Sequence, residues 1–130
     1  MDDTTDDHRA ITSVAARYGA LLDRERIDEW LELFTPDASF HVYGRAFEGH
    51  AGLRKMAEGA PRGIHMGGLP VIAVDGDRAT VGQSFVFVDA ATHETRIGWY
   101  DDELVRRDGR WCIETRRCTF VTPDGPSDRP

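Results

Sequence analysis

Apolar residues return every third or fourth position at the start of the chain. Ile11, Val14, Ala15, Tyr18, Leu21 and Leu22 form one stripe of a helix that Asp6 or Asp7 can cap. Ile27, Trp30, Leu31 and Phe34 predict a second, short helix that stops before Pro36, since the residue ahead of a proline avoids helical backbone. Residues 38–43 read as a strand running into Gly44. A third helix is predicted from near His50 to Glu58, ended by Gly59 and Pro61.

Beyond residue 68 the pattern turns to β. Residues 69–74 are a short apolar run, and Asp75-Gly76-Asp77 is a tight hairpin signal. Residues 79–88, 96–106 and 111–121 read as strands, the last two joined at Asp108-Gly109. Residues 1–7 and the Pro-, Asp- and Gly-rich residues 122–130 are expected to be loose, leaving one domain over 8–121. Helices followed by hairpin-linked strands give an α+β domain with helices on a curved antiparallel sheet.

Composition narrows the function classes. A chain of 130 residues, 40% hydrophobic and 30% charged, suits one globular domain. A net charge of -7 leaves no basic surplus for phosphates and argues against nucleic acid. No apolar run approaches the ~20 residues that span a bilayer. The acidic start, Met1-Asp2-Asp3-Thr4-Thr5-Asp6-Asp7, is unlike a secretory signal, so a cytoplasmic location is expected. Cys112 and Cys118 fall on one predicted strand, about 20 Å apart if extended, and read as reduced, buried thiols. His8, His41, His50, His65 and His93 lack paired-ligand spacing, so no metal or other cofactor is expected.

Two residues offer chemistry. Asp23 closes the first apolar stripe, and His65 lies in Gly63-Ile64-His65-Met66-Gly67-Gly68; together they supply a carboxylate and an imidazole, able to move a proton at neutral pH. Each has a plainer reading. Asp23 can cap the second helix, and His65 can be a hydrogen-bonded loop residue.

The segments Tyr18-Gly19-Ala20-Leu21-Leu22-Asp23, Trp30-Leu31-Glu32-Leu33-Phe34-Thr35-Pro36-Asp37-Ala38, Val74-Asp75-Gly76-Asp77-Arg78-Ala79 and Leu104-Val105-Arg106-Arg107-Asp108-Gly109-Arg110-Trp111 share an order and spacing. In these the chain resembles the SnoaL-like branch of the nuclear transport factor 2 superfamily over roughly residues 8–121. The resemblance implies a cone-like α+β barrel, a highly curved antiparallel or mixed sheet with helices closing a cavity. It is nearest the scytalone dehydratase, bile-acid dehydratase and hexachlorocyclohexane dehydrochlorinase subgroup. There an aspartate after the first helix orients a histidine that removes a C–H proton beside a leaving group, and Asp23 and His65 occupy the matching segments. Tyr18 and Tyr43 resemble the tyrosines that hold substrate oxygens. Arg116 falls where the dehydrochlorinase carries an arginine.

The chain also departs from that pattern. A second histidine is replaced by the stretch around Asp89, which can match an extra aspartate of the bile-acid enzyme. Tyr100 and Asp102 stand where the dehydratases carry an asparagine. Phe40, Met66, Phe85, Phe87, Trp99 and Phe120 are candidate cavity walls. By strand alternation Tyr43 shares a face with Ser39 and His41, opposite Phe40 and Val42, and either face can line the cavity. Of Asp101-Asp102-Glu103 at most one side chain points inward, and of Arg116 and Arg117 only one.

The resemblance therefore implies a cofactor-independent, dehydratase-like lyase acting on a hydrophobic cyclic or polyketide-like molecule. An isomerase, cyclase or epoxide-opening enzyme in the same pocket is the alternative. A non-catalytic binding or assembly module is the third reading, and it requires a filled cavity or an Asp23–His65 separation too long to bond. Dimerisation through the outer sheet face is a further implication.

Overall fold

In a computed structural model describing residues 3–130, the first apolar stripe is the buried face of α1 (Asp3–Asp23), with Ile11, Val14, Tyr18 and Leu21 packed into the core. The helix starts earlier than its charges suggest. Asp7 does not cap it: its Oδ1 accepts Trp111 Nε1 at 3.0 Å and Arg106 Nη1 at 2.6 Å, tying the first turns to the sheet. Of the expected loose start, residues 3–7 are helical, and Met1 and Asp2 lie outside the described residues. α2 (Ile27–Leu31) is shorter than predicted, and Phe34 opens β1 (Phe34–Val42) instead of closing the helix. Pro36 is tolerated within β1 because pairing with the neighbouring strand slips between Phe34 and Ser39, where no ladder bond is required.

β2 (Arg45–Glu48) folds back antiparallel on β1, and α3 (Gly49–Gly59) follows. β3 (Gly63–Gly67) and β4 (Val71–Asp75) pair along the two halves of the long β5 (Arg78–Asp89). β6 (Thr95–Arg107) and β7 (Arg110–Thr122) continue the antiparallel ladder. β1 joins β7 in parallel, so the sheet is mixed, in the order β2-β1-β7-β6-β5-β3. The expected loose tail carries β8 (Gly125–Ser127) on β7, and Asp128 O accepts the Tyr43 N–H at 2.9 Å.

β5 shows why the sheet has an inside. Ala79, Val81, Gln83, Phe85 and Phe87 are buried, while Arg78, Thr80, Ser84 and Val86 are exposed, a strict period of two. At Gly63 a Cβ would sit 2.1 Å from Val88 O, so only glycine lets β3 approach β5 there. The outer face exposes Ile64, Met66, Val86, Ile97 and Val121, and the expected homodimer concerns this face. Cys112 and Cys118 are free and buried. Among the described residues no helix is long and apolar enough to cross a membrane.

Candidate active site

Asp23 ends α1, and the chain turns away immediately after it. Glu25 adopts a left-handed φ of 58°, its N–H bonds Leu22 O at 3.0 Å, and the Arg26 N–H bonds Leu21 O at 2.9 Å. Arg26, not Asp23, is the N-cap of α2 and makes no side-chain cap bond. The Asp23 carboxylate is thereby left for β3. Its Oδ1 lies 2.5 Å from His65 Nδ1, and its Oδ2 accepts the His65 backbone N–H at 2.8 Å. An ionised carboxylate only accepts, so Nδ1 carries a proton, and in the neutral ring Nε2 is the nitrogen with the lone pair. Among the described residues nothing bonds Nε2. Their side chains are 9% and 19% exposed, sheltered but reachable.

The His65 ring lines a cavity of about 470 Å³ whose buried end is made of Tyr18, Phe40, Val42, Phe85, Phe87, Tyr100, Cys118 and Phe120. A smaller space of about 300 Å³, between α1 and the turn after β3, reaches the other side of the same His65, Tyr18 and Tyr100. Aromatic contacts fix the imidazole. His65 lies 4.7 Å from Phe87 and 6.2 Å, edge-on, from Tyr18, centroid to centroid. A Cβ on Gly19 would stand 3.0 Å from His65 Cβ, so the bare backbone lets α1 pack directly on the histidine.

Beneath the tyrosines is a buried ion pair. Arg116 is fully buried and forks onto Asp102, Nε to Oδ1 at 2.8 Å and Nη2 to Oδ2 at 2.7 Å. Its guanidinium carbon lies 4.0 Å from the centre of the Tyr18 ring and 4.1 Å from that of Tyr100, a cation between two π faces. Arg116 Nη1 has no partner among the described residues. Burial opposes the Arg116 charge, but the charge and hydrogen bonds of Asp102 outweigh it and hold the guanidinium above its ordinary range. Burial pushes the Tyr18 and Tyr100 phenols well above their ordinary value, and the Cys118 thiol up to about 12. Tyr18 and Tyr100 are therefore neutral donors at physiological pH, and among the described residues that line the cavity His65 is the one imidazole.

Several expected wall residues lie elsewhere. Met66 follows the inward His65 and so points out, 63% exposed. Trp99 precedes the inward Tyr100 and bonds Asp101 Oδ2 from the outer face at 3.2 Å. Asp89 is turned into the loop after β5, where its Oδ1 accepts the N–H groups of Ala91 at 2.8 Å and Thr92 at 3.1 Å. Arg116 backs the tyrosines and does not line the cavity. Tyr43 does line it, with Phe40 and Val42 and not with Ser39 and His41. Its φ of 57° lies in the left-handed region just past the end of β1, which reverses the alternation. Asp102 is the inward member of its acidic run, legible from buried Tyr100 and Leu104 on either side. The sequence reading missed Arg45, Lys55 and Arg96 in the lining: Arg45 stands on β2, which carries no apolar period, while Lys55 on α3 and Arg96 at the start of β6 are charged residues that a search for apolar walls passes over. Among the described residues no three His, Cys, Asp or Glu side chains converge as metal ligands do.

A curved mixed sheet closed by helices over an apolar cavity, with a carboxylate–imidazole pair in its wall, defines a cone-shaped α+β pocket domain. Residues 3–117 match the SnoaL-like domain, and the chain belongs to that family. No curated protein matches the sequence. Among solved structures it is similar to a variant of Rv3472, a protein of unknown function from Mycobacterium tuberculosis. That match has 30% identity and a TM-score of 0.83, over 92% of this chain and 74% of that one. A candidate scytalone dehydratase from Novosphingobium aromaticivorans shares the fold at 24% identity and TM-score 0.82, over 98% and 91% of the two chains. A type 2 hexachlorocyclohexane dehydrochlorinase (LinA) shares it at 17% identity and TM-score 0.81, over 92% and 88%.

Proposed function

We propose that this protein is a cofactor-independent lyase that removes water, or another small leaving group, from a hydrophobic cyclic or polyketide-like molecule. The observation that carries the reading is the Asp23–His65 pair, bonded at 2.5 Å, with His65 lining an apolar cavity and its Nε2 without a partner among the described residues. In this reading Nε2 takes a proton from the carbon beside the leaving group. The C–H pair becomes the new C=C bond, and the C–O pair departs with oxygen. Tyr18 and Tyr100, kept neutral by burial, donate hydrogen bonds to oxygen as its charge grows. The imidazolium, steadied by Asp23, then gives its proton to the departing oxygen, so water leaves and the pair is restored.

Two similar structures bear the names of a dehydratase and a dehydrochlorinase, which supports elimination as the reaction class. A cavity of about 470 Å³ and a bonded Asp–His pair speak against a purely structural module. A base facing two neutral phenols also suits enolisation, and an isomerase or cyclase is the second reading for that reason. The test is product formation from a panel of cyclic β-hydroxy ketones, followed by the ultraviolet absorbance of the conjugated product. His65→Ala is expected to lower turnover by about 10²-fold or more. Unchanged turnover in a folded His65→Ala protein would reject the reading, and a rearranged product without elimination would favour the second.

A further inference from the structure

The cavity has a charged mouth. Its lining residues that reach solvent include Tyr43, Arg45 and Lys55, all exposed, with Arg96 half-buried beside them. Among the described residues, every lining residue with a permanent charge is a cation and no carboxylate lines the cavity, although the chain carries 23 acidic and 16 basic residues. Lys55 is the only lysine in the sequence. None of the three cations has a carboxylate within ion-pair distance among the described residues. Arg26, Arg54, Arg62, Arg78, Arg106, Arg107, Arg116 and Arg129 all do. Arg9, Arg17, Arg24, Arg110 and Arg117 also make no such pair but lie outside the cavity lining, so what marks the mouth is three unpaired cations gathered at one opening.

Two of these cations are held by aromatic groups, which supply no opposite charge of their own. Arg96 Nη1 donates to Tyr43 Oη at 3.2 Å, and the Tyr43 ring stacks on Phe120 with centroids 5.9 Å apart. The Arg45 guanidinium lies 4.5 Å from the centre of the Phe47 ring. Tyr43 owes its place to a left-handed backbone that bulky side chains rarely adopt, pinned by its N–H to Asp128 O. Asp89, the carboxylate that Arg96 influences, already accepts two backbone N–H groups. An acidic protein thus gathers three cations without ion pairs around the opening of a largely apolar pocket.

We propose that the molecule bound here is amphipathic, with an apolar ring-bearing body in the buried end beside His65 and an anionic terminus, a carboxylate or a phosphate, held at the mouth by Arg45, Lys55 and Arg96. This assignment rests on the reading of His65 as the base at the buried end, since it orients the substrate from rim to base. Fixed cations at the mouth draw an anion in and set its orientation before the apolar body is desolvated.

Isothermal titration of the full chain with 2-naphthylacetate, 2-naphthyl phosphate and 2-naphthylacetamide tests it. At least one anion is expected to bind about tenfold tighter than the amide, the sum of three exposed charge contacts. That gap is expected to close in the Arg45→Gln/Lys55→Gln/Arg96→Gln variant while amide binding holds. Whichever anion gains more identifies a carboxylate or a phosphate terminus. The three side chains reach solvent, and thermal melting checks that the variant folds; Lys55→Gln alone is expected to remove part of the gap and serves where the triple variant does not fold. Equal binding of acid and amide, a gap that survives in the variants, or no binding of any probe at millimolar concentration overturns the proposal. Binding of these unreactive probes is independent of turnover, so its failure is distinct from unchanged turnover in His65→Ala.

Discussion

One carboxylate holds His65 at two points: Asp23 Oδ1 meets the ring Nδ1 at 2.5 Å, and Oδ2 meets the backbone N–H of the same residue at 2.8 Å. The ring's position, its rotation and its tautomer are therefore set together, from the last residue of α1. A loop histidine among glycines would have none of these constraints.

The two-point contact makes Asp23→Asn informative. The backbone N–H requires the amide oxygen, so the amide NH₂ faces Nδ1 and forces the proton onto Nε2. Turnover is expected to fall by about 10²- to 10⁴-fold with little change in stability. Nitrogen NMR of the imidazole should show the Nε2–H tautomer. An Nδ1–H tautomer with full turnover would refute the orienting role.

Gly19→Ala tests the packing behind the histidine. The new Cβ would lie 3.0 Å from His65 Cβ, tighter than carbons ordinarily sit, and at ordinary contact, 3.6 Å, from its carbonyl oxygen. Alanine gains about 1 kcal/mol of helix propensity, which offsets the crowding and keeps the melting temperature near that of the parent. The cost is expected in geometry, as a roughly tenfold fall in kcat with KM little changed. A fall in stability with kcat intact would assign Gly19 to the fold alone.

The strands of the long hairpins were legible because their inward residues are apolar at strict alternation, as Val81, Phe85 and Phe87 show. β3 was not legible: it pairs through a single neighbour, buries little, and its only inward side chain of note is a histidine. Hydrophobicity alone misplaced Met66 and Trp99, since each adjoins a residue that already faces the cavity. Parity misplaced Tyr43, because one left-handed residue reverses it. Alternation allowed only one of Arg116 and Arg117 to point inward; that it is Arg116, buried behind the tyrosines and not in the cavity lining, depends on the register that sets Asp102 opposite it, which no local pattern reveals.

Burial of Cys118 predicts alkaline sensitivity. Its pKa is raised to about 12, so between the ordinary thiol value near 9.0 and about 12 the unfolded chain has lost a proton that the folded one keeps. The unfolded state binds fewer protons there, and stability falls as pH rises, by up to ~1.4 kcal/mol per pH unit from this group. This contribution is fully present below about 9 and lost on approach to about 12; Tyr18 and Tyr100, also raised, act in the same direction. Urea titrations at pH 8 to 11 should show the decline, shallower in Cys118→Ala. An identical slope in that variant would show that the thiol ionises freely in the folded state.

The Arg116–Asp102 pair is expected to behave as a buried unit. Arg116→Met strands a carboxylate, and Asp102→Leu strands a guanidinium whose two hydrogen bonds, at 2.8 and 2.7 Å, have gone. Each single change is expected to cost about 3–5 kcal/mol in urea unfolding, because an unpaired charge stays in the core. The Arg116→Met/Asp102→Leu double variant should recover much of that loss, since apolar replacement removes both desolvation penalties. Its tyrosines nevertheless lose the cation between their rings, so turnover should stay low even where stability returns. A double variant as active as the parent would reduce the pair to a packing element. A double-variant loss equal to the sum of the two single losses would show that the charges do not depend on each other.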